Sequence, residues 1–299
     1  MRVFFTDQFV LPLPDTHRFP MQKYALLARR VSDSGLVAAA DQQVPCAASD
    51  ADILRAHTAD YLARVKHGDL TAKEIRRIGF PWSLELVARE RRSCGGTIEA
   101  CRAALVDGVA VNLAGGTHHA FADHGEGFCI FNDSAIAIRA LQADGSIRRA
   151  VVLDCDVHQG NGTAAILAND PSAFVFSIHG AKNFPFHKEL SDLDVELDDG
   201  TADDAYLSAL EGGVRYALAN AHADVAIYLA GADPYVGDTL GRLAVSKAGL
   251  VARDRLVLEC CRTAGLPVAI TMAGGYAKNV QDIVDIHFAT VQTAAELFG

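Results

Sequence analysis

Asp154, Asp156 and His158 stand at i, i+2 and i+4, directly after the apolar run Val151-Val152-Leu153. At the end of an extended strand alternate side chains share a face, so all three can point into one site. Two carboxylates and an imidazole suit a divalent ion such as Zn(II) or Fe(II), with coordination positions left open. Asp233, after a different apolar run, is the natural remaining protein ligand. A helix N-cap would explain one of these aspartates, but not a second one with a histidine on the same face. His118 and His119 follow Gly115-Gly116, whose backbone freedom lets both rings reach one pocket. A neutral imidazole beside a metal-activated water is a suitable general base, and a second one can support charge near a leaving group. The phenol of Gly274-Gly275-Tyr276 is placed to donate to a developing oxyanion, although Gly-Gly-Tyr is also simply a turn with an aromatic lid. His179, near Ser177, is expected to be a satisfied, half-buried histidine. His17, His57, His67, His124, His187, His222 and His287 gain no chemical role from spacing and are expected mostly on the surface or on helices.

The elements that must position these groups alternate. Short β-branched runs recur at 3–5, 109–113, 150–153, 173–176, 225–229 and 268–272, separated by amphipathic stretches near 50–66, 84–107, 134–143, 160–169, 203–221, 246–264 and 279–297. In the 246–264 stretch Arg253 and Asp254 alternate with Leu250 and Val257, giving it a polar and an apolar face. Continuous apolar strands separated by helices predict an α/β, doubly wound, mainly parallel sheet covered on both faces. Ligands of such sheets bind beyond the carboxyl ends of the strands. The candidate residues all follow an apolar run, so they gather at one edge.

Composition narrows the classes. The chain has 299 residues, half of them hydrophobic, and a formal charge of −10. With no Pro/Gly/Ser-rich linker or repeat, residues 1–299 read as one domain. No apolar run approaches the roughly 18–20 residues of a membrane span, and Asp7 arrives too early for a secretory leader. A sequence pI near 5.5 supplies no basic stripe for nucleic acid; it suits a cationic substrate, and solubility explains it equally well. Seven scattered cysteines without a Cys-x-x-Cys pair predict reduced thiols in a cytoplasmic protein.

Taken together, Gly116-Thr117-His118-His119-Ala120, Gly127-Phe128-Cys129-Ile130-Phe131-Asn132-Asp133, Asp154 to Gly162, Gly231-Ala232-Asp233-Pro234 and Gly274-Gly275-Tyr276 resemble the zinc-dependent histone deacetylase superfamily, in the same order along the chain. His17-Arg18-Phe19-Pro20, Arg77 to Trp82, Asn183 to Phe186 and Ser191 to Asp194 place the resemblance nearest its compact, class IV-like bacterial members. The resemblance implies an arginase-like α/β domain that removes an acyl group from lysine or a similar primary amine. It implies that Asp156, His158 and Asp233 hold Zn2+ (or Fe2+), and that His119 is the general base. His118, oriented by Asp154, would assist the leaving amine, and Tyr276 would polarise the acyl carbonyl. Gly127, Phe128, Phe184, Leu240 and Gly275 would lie along the acyl channel. Asp154, Asp156 and His158, with Ser177, would form a site for K+. The implied partner is an acylated lysine peptide or protein, or an acetylated amine such as a polyamine. Two positions depart from the best-studied class I pattern: Asn161 stands where an aspartate often partners the second histidine, and Thr117 where a proline often precedes the pair.

Overall fold

The computed structural model describes residues 1–6, 11–14 and 17–299; Asp7 lies outside them. Eight strands form one sheet: β1 (Arg2–Phe4), β2 (Gln42–Gln43), β3 (Val109–Asn112), β4 (Ala150–Asp154), β5 (Ala173–Gly180), β6 (Leu193–Leu197), β7 (Val225–Leu229) and β8 (Val268–Thr271). Their order is β2-β1-β3-β8-β7-β4-β5-β6, and every pair is parallel. The helices are α1 (Lys23–Ser34), α2 (Asp50–Ile53), α3 (Ala59–His67), α4 (Ala72–Ile78), α5 (Leu84–Asp107), α6 (Asp133–Ala143), α7 (Asn161–Leu167), α8 (Asp203–Ala221), α9 (Lys247–Thr263) and α10 (Val280–Phe298).

The unbroken apolar runs of the central strands follow from burial on both faces. Ala110, Val152 and Ile227 point into a core completed by α5 and α6. Val111, Val151, Leu153 and Tyr228 point the other way, into a core completed by α8, α9 and α10. The register aligns Asn112 with Thr271, Thr271 with Leu229 and Leu229 with Asp154. Four neighbouring strands therefore end in one row, and the loops carrying the candidate residues leave from that row.

Several elements differ from expectation. The amphipathic stretch at 50–66 is two helices, because Thr58 adopts an extended conformation and its hydroxyl caps α3 through the Tyr61 N–H. β6 escapes a search for continuous apolar runs because Leu193-Asp194-Val195-Glu196-Leu197 alternates, as an edge strand with one drier face does. α1 and α4 lie outside the amphipathic stretches read from the sequence; both end on left-handed glycines, Gly35 and Gly79. None of the seven cysteines is in a disulfide, and Cys94, Cys101, Cys129, Cys155 and Cys261 are buried. Among the described residues no helix is long and apolar enough to cross a membrane.

The start of α4 makes a stability prediction. Thr71 and Glu74 form a reciprocal capping box. The Thr71 hydroxyl, helped by the Thr71 N–H and Arg64, holds the Glu74 carboxyl down from the ordinary 4.5 to about 2. A depressed carboxylate contributes stability above its unfolded value and loses it as pH falls towards the folded one. Thr71→Ala should cost about 1 kcal/mol at neutral pH. Glu74→Gln should be less stable than wild type at pH 7, with the gap closing between pH about 4.5 and 2; urea midpoints at several pH values check both.

Candidate metal and catalytic centre

Three loops meet at the carboxyl edge and fasten one another through their backbones. The Val157 N–H, after β4, donates to Asp233 Oδ1 at 2.9 Å. The Gly274 N–H, after β8, donates to Asp156 Oδ2 at 2.8 Å. The Ala232 N–H, after β7, donates to the Gly274 carbonyl at 2.9 Å. The result brings Asp156, His158 and Asp233, all buried, close enough that one ligand atom from each lies within 4.8 Å of the others. His158 Nδ1 is 3.0 Å from Asp156 Oδ1 and 3.3 Å from Asp233 Oδ2. Asp233 Oδ2 is fully buried and has no hydrogen-bond partner. A Cβ on Gly274 would lie 2.0 Å from Asp233 Oδ2 and 2.6 Å from Asp156 Oδ2, so only glycine leaves the space between the carboxylates open. An orphaned buried oxygen, a cradle a methyl would fill and an O,O,N donor set fit a divalent transition ion.

The electrostatics of this cluster call for positive charge. Burial raises the Asp233 carboxyl, and so does Asp156; together they overcome His158 and bring it to about 7. Burial opposes charge on His158, but Asp156 and Asp233 outweigh it and push the imidazole up to about 10. Asp156 is held well below the usual carboxylate range despite burial, through His118 and His158.

Asp154 does not join that cluster, although spacing alone allows it. The strand ends at Asp154, and the following residues turn rather than continue extended. Its Oδ2 accepts from His118 Nδ1 at 2.7 Å, and its Oδ1 from the Asp156 N–H at 3.1 Å. Burial lowers the His118 imidazole, but Asp154 and Asp156 override it and raise it to about 9. His119 has a different partner: its Nδ1 donates to Asn161 Oδ1 at 2.7 Å. An uncharged amide fixes the ring and leaves Nε2 with its lone pair. Burial first, then His118 and His158, hold His119 well below the ordinary histidine value. The two rings are 4.2 Å apart, and His119 is 5.9 Å from the His158 ring.

The histidine pair is aimed by a residue to which sequence reasoning assigned no role. Asp133 accepts from the Gly116 N–H (2.9 Å), the Thr117 N–H (2.8 Å), the Thr117 hydroxyl (2.8 Å) and the Thr97 hydroxyl (2.6 Å). Proline at 117 would lose the N–H bond, so Thr117 belongs to this clasp.

Tyr276 closes the other side. Its N–H donates to Asp238 Oδ2 at 2.6 Å, and its ring centroid is 6.3 Å from that of His158. Beneath it, buried Lys23 donates to the carbonyls of Ala273 and Gly275 at 3.3 and 3.4 Å, with its ammonium 5.4 Å from the Tyr276 ring. Burial raises the phenol well above its ordinary value, and Asp233 adds to that, so the hydroxyl keeps its proton.

A cleft of about 580 Å³ opens onto His119, His158 and Tyr276, with Gly127, Phe128, Phe184 and Leu240 on its walls. A Cβ on Gly127 would come 2.6 Å from His119, so the wall needs glycine there. Gly275 does not line it: it packs on Ile283 and Ala232, away from the opening. Ser177 is paired in register with Asp154, and its hydroxyl meets His179 Nδ1 at 2.9 Å. His179 is fully buried, not half-buried, and its Nε2 has no partner. His57 is also buried; its Nε2 accepts from the Asn132 N–H at 2.9 Å, and burial takes it down to about 4.

The polar face expected on α9 is inside. Arg253 and Asp254 are both buried. Arg253 donates to the carbonyls of Gly231 (2.5 Å) and Cys155 (3.5 Å), which adjoin Asp233 and Asp156. Asp254 accepts from Arg253, Tyr228 and Thr290 at 2.9, 2.5 and 2.6 Å. The charged pair gave no signal because its spacing matches that of an exposed helix face.

This all-parallel sheet, with helices around it and an Asp-His-Asp cluster at its carboxyl edge, defines the arginase/deacetylase fold. An HDAC homologue complexed with SAHA superposes with a TM-score of 0.84 at 23% identity, over 98% of this chain and 83% of that one; an HDAC homologue from Aquifex aeolicus gives 0.83 at 22%, with the same coverage. The histone deacetylase domain model matches residues 17–291, and the chain belongs to that family. It is 44% identical over 99% of both chains to an uncharacterised protein of Picosynechococcus sp.. It is 31% identical to histone deacetylase 2 of Arabidopsis thaliana, over 90% of this chain and 72% of that one. With the histone deacetylase-like amidohydrolase of Pseudomonas aeruginosa it shares 32% identity over 82% and 68%.

Arg253→Met leaves Asp254 buried without its cation and should destabilise the protein by about 3–5 kcal/mol. Thr290→Val, which removes one neutral donor to the same carboxylate, should cost about 1–3 kcal/mol. Denaturant unfolding of the two variants should rank them in that order.

Proposed function

We propose that the chain, as one catalytic domain, is a metal-dependent amidohydrolase that removes an acyl group from the ε-amine of lysine or a similar primary amine. The observation that carries this reading is the convergence, at one cleft floor, of the Asp156-His158-Asp233 cradle, two differently partnered histidines and Tyr276. Asp156, His158 and Asp233 would hold a Zn2+ or Fe2+ ion, which when bound would supply Lewis acidity and lower the pKa of a water towards about 7.

The side chains divide the remaining work. His119 is neutral, with Nδ1 engaged by Asn161, so Nε2 takes the proton from the attacking water. As the new C–O bond forms, negative charge gathers on the carbonyl oxygen, and the Tyr276 hydroxyl donates to it. His118, kept protonated by Asp154 and Asp156, gives its proton to the amine nitrogen as the C–N bond breaks. The products are a carboxylate and a free amine. Phe128, Phe184 and Leu240 give the acyl chain an apolar wall. The backbone around Asp154, Asp156 and His158, with Ser177, is the proposed K+ site, where it would brace the same loop. A cytoplasmic setting, expected from the scattered cysteine spacing, is part of this proposal.

A ureohydrolase on this scaffold needs two metals and more carboxylates; the described residues contain one metal-competent cluster of three.

Tyr276→Phe should retain the metal and lower turnover of a fluorogenic acetyl-lysine peptide by roughly 10²–10³, the usual scale for one oxyanion donor. Unchanged turnover would remove that role. Chelation should abolish activity and add-back of one ion per chain restore it, whereas full activity in metal-free protein would refute the reading. A group raised by a carboxylate loses its proton at lower pH once that charge is removed. The alkaline limb of turnover should therefore move to lower pH in Asp154→Asn; a pH–rate profile of each protein decides this.

A further inference from the structure

The cleft mouth carries a charge opposite to that of the whole chain. The sequence sums to −10. Among the described residues that line the opening stand Arg18, Arg77, Lys182 and Arg242, all exposed, with a single acid, Glu126. Among the described residues Arg242 pairs with Asp199 at 3.3 Å, while Arg18, Arg77 and Lys182 have no carboxylate partner.

These cations come from four separate segments, and the fold clips the segments together. Buried Asn183 donates to the Leu240 carbonyl at 2.8 Å and accepts from the Arg242 N–H at 3.2 Å, which sets Lys182 beside Arg242. The Gly127 N–H donates to the Arg77 carbonyl at 3.1 Å, joining that residue to the channel wall. His17 Nε2 donates to the Gly79 carbonyl at 2.9 Å, and its Nδ1 accepts from the Phe19 N–H at 3.1 Å, so the Arg18 segment is tied to the Arg77 segment. Each cation thus sits on a braced backbone. Phe186, 80% exposed on the same rim, offers a flat apolar surface beside them.

We propose that the mouth selects for negative charge: the acylated amine that this site accepts is presented on an acidic peptide segment, with carboxylates flanking the acyl-lysine. The inference rests on the hydrolase reading above and narrows its substrate class. A cleft lined by one sign of charge concentrates the opposite sign and repels its own. Acetylated polyamines and Lys/Arg-rich tails keep positive charges next to the acylated nitrogen and meet repulsion at this mouth. The net acidity of the chain as a whole points the other way, but charges more than a Debye length from the opening, about 8 Å at physiological salt, are largely screened. The local set decides.

The test uses acetyl-lysine peptides of one length flanked by Glu, by Gln or by Lys, together with N-acetylspermidine. The metal-loaded protein is assayed for turnover, and fluorescently labelled forms of the three peptides are titrated by anisotropy. The expected kcat/KM order is Glu over Gln over Lys, at least about tenfold from first to last, following the scale of electrostatic steering. The spread should collapse near 1 M salt, where the Debye length is about 3 Å. Arg77→Glu combined with Lys182→Glu should reverse the order. Equal turnover of the three peptides, or a preference for the Lys-flanked peptide or N-acetylspermidine, would overturn the proposal. Absence of turnover on every substrate would instead count against the hydrolase reading, and the anisotropy order would still decide the charge preference.

Discussion

Two carboxylates and an imidazole are buried together at the floor of the cleft, and that electrostatic demand organises the rest of the molecule. Asp156 and Asp233 are 1% and 0% exposed. Buried like charges are expensive unless a cation or a proton lies between them. One oxygen of each carboxylate is engaged by a backbone N–H from another loop, while Asp233 Oδ2 has no such donor. The arrangement is satisfied at its edges and unsatisfied at its centre, an imbalance that a bound cation would relieve. Gly274 keeps the centre open because any side chain there would collide with both carboxylates.

Around that centre the structure uses charge to separate two chemically identical side chains. His118 and His119 are adjacent in sequence, and their rings are 4.2 Å apart. A carboxylate below one and an amide below the other drive their proton affinities in opposite directions. A pair of groups pushed apart in this way can serve as acid and base at one pH. Asn161, which departs from the class I pattern, gives His119 Nδ1 an uncharged partner where His118 has a carboxylate. The Asp133 clasp acts on the same pair: four hydrogen bonds to one carboxylate fix the turn that carries both rings.

Much of this was legible in the sequence because period and position carry it. Unbroken apolar runs alternating with amphipathic stretches predict a parallel sheet, and a parallel sheet predicts which loop residues meet. Val151 to Leu153, Val225 to Leu229 and Val268 to Thr271 are adjacent strands, and the residues after each run do converge. What stayed hidden depends on partners distant in the chain. Arg253 and Asp254 look like a solvated face until the carbonyls of Cys155 and Gly231 arrive from two other strands. Lys23 carries no signal in the sequence, because its partners are the carbonyls of a loop 250 residues further on. Asp154 has metal-ligand spacing, yet the chain turns immediately after it and gives its carboxylate to His118. Gly275 lies next to Tyr276 but is turned into the packing against Ile283. β6 and the break at Thr58 were missed because each depends on a local pattern, alternation or a cap, that breaks the dominant rhythm.

The buried Arg253-Asp254 pair shows how the core and the site are mechanically linked. Helix α9 packs on the face of the sheet opposite α5, yet its guanidinium reaches the backbone carbonyls of Cys155 and Gly231, just before Asp156 and Asp233 in the chain. A hydrophobic isostere would fill the same space without the cost of burying charge. It would also leave the Gly231 carbonyl without its donor, in a loop where an error of a few tenths of an ångström changes whether two carboxylates can share an ion. Precision of this kind is set by directional bonds, because dispersion is too shallow and too isotropic to fix a loop's orientation. The ion pair is therefore better understood as a positional constraint on the loops that carry Asp156 and Asp233 than as a source of stability, even though removing one half of it is destabilising.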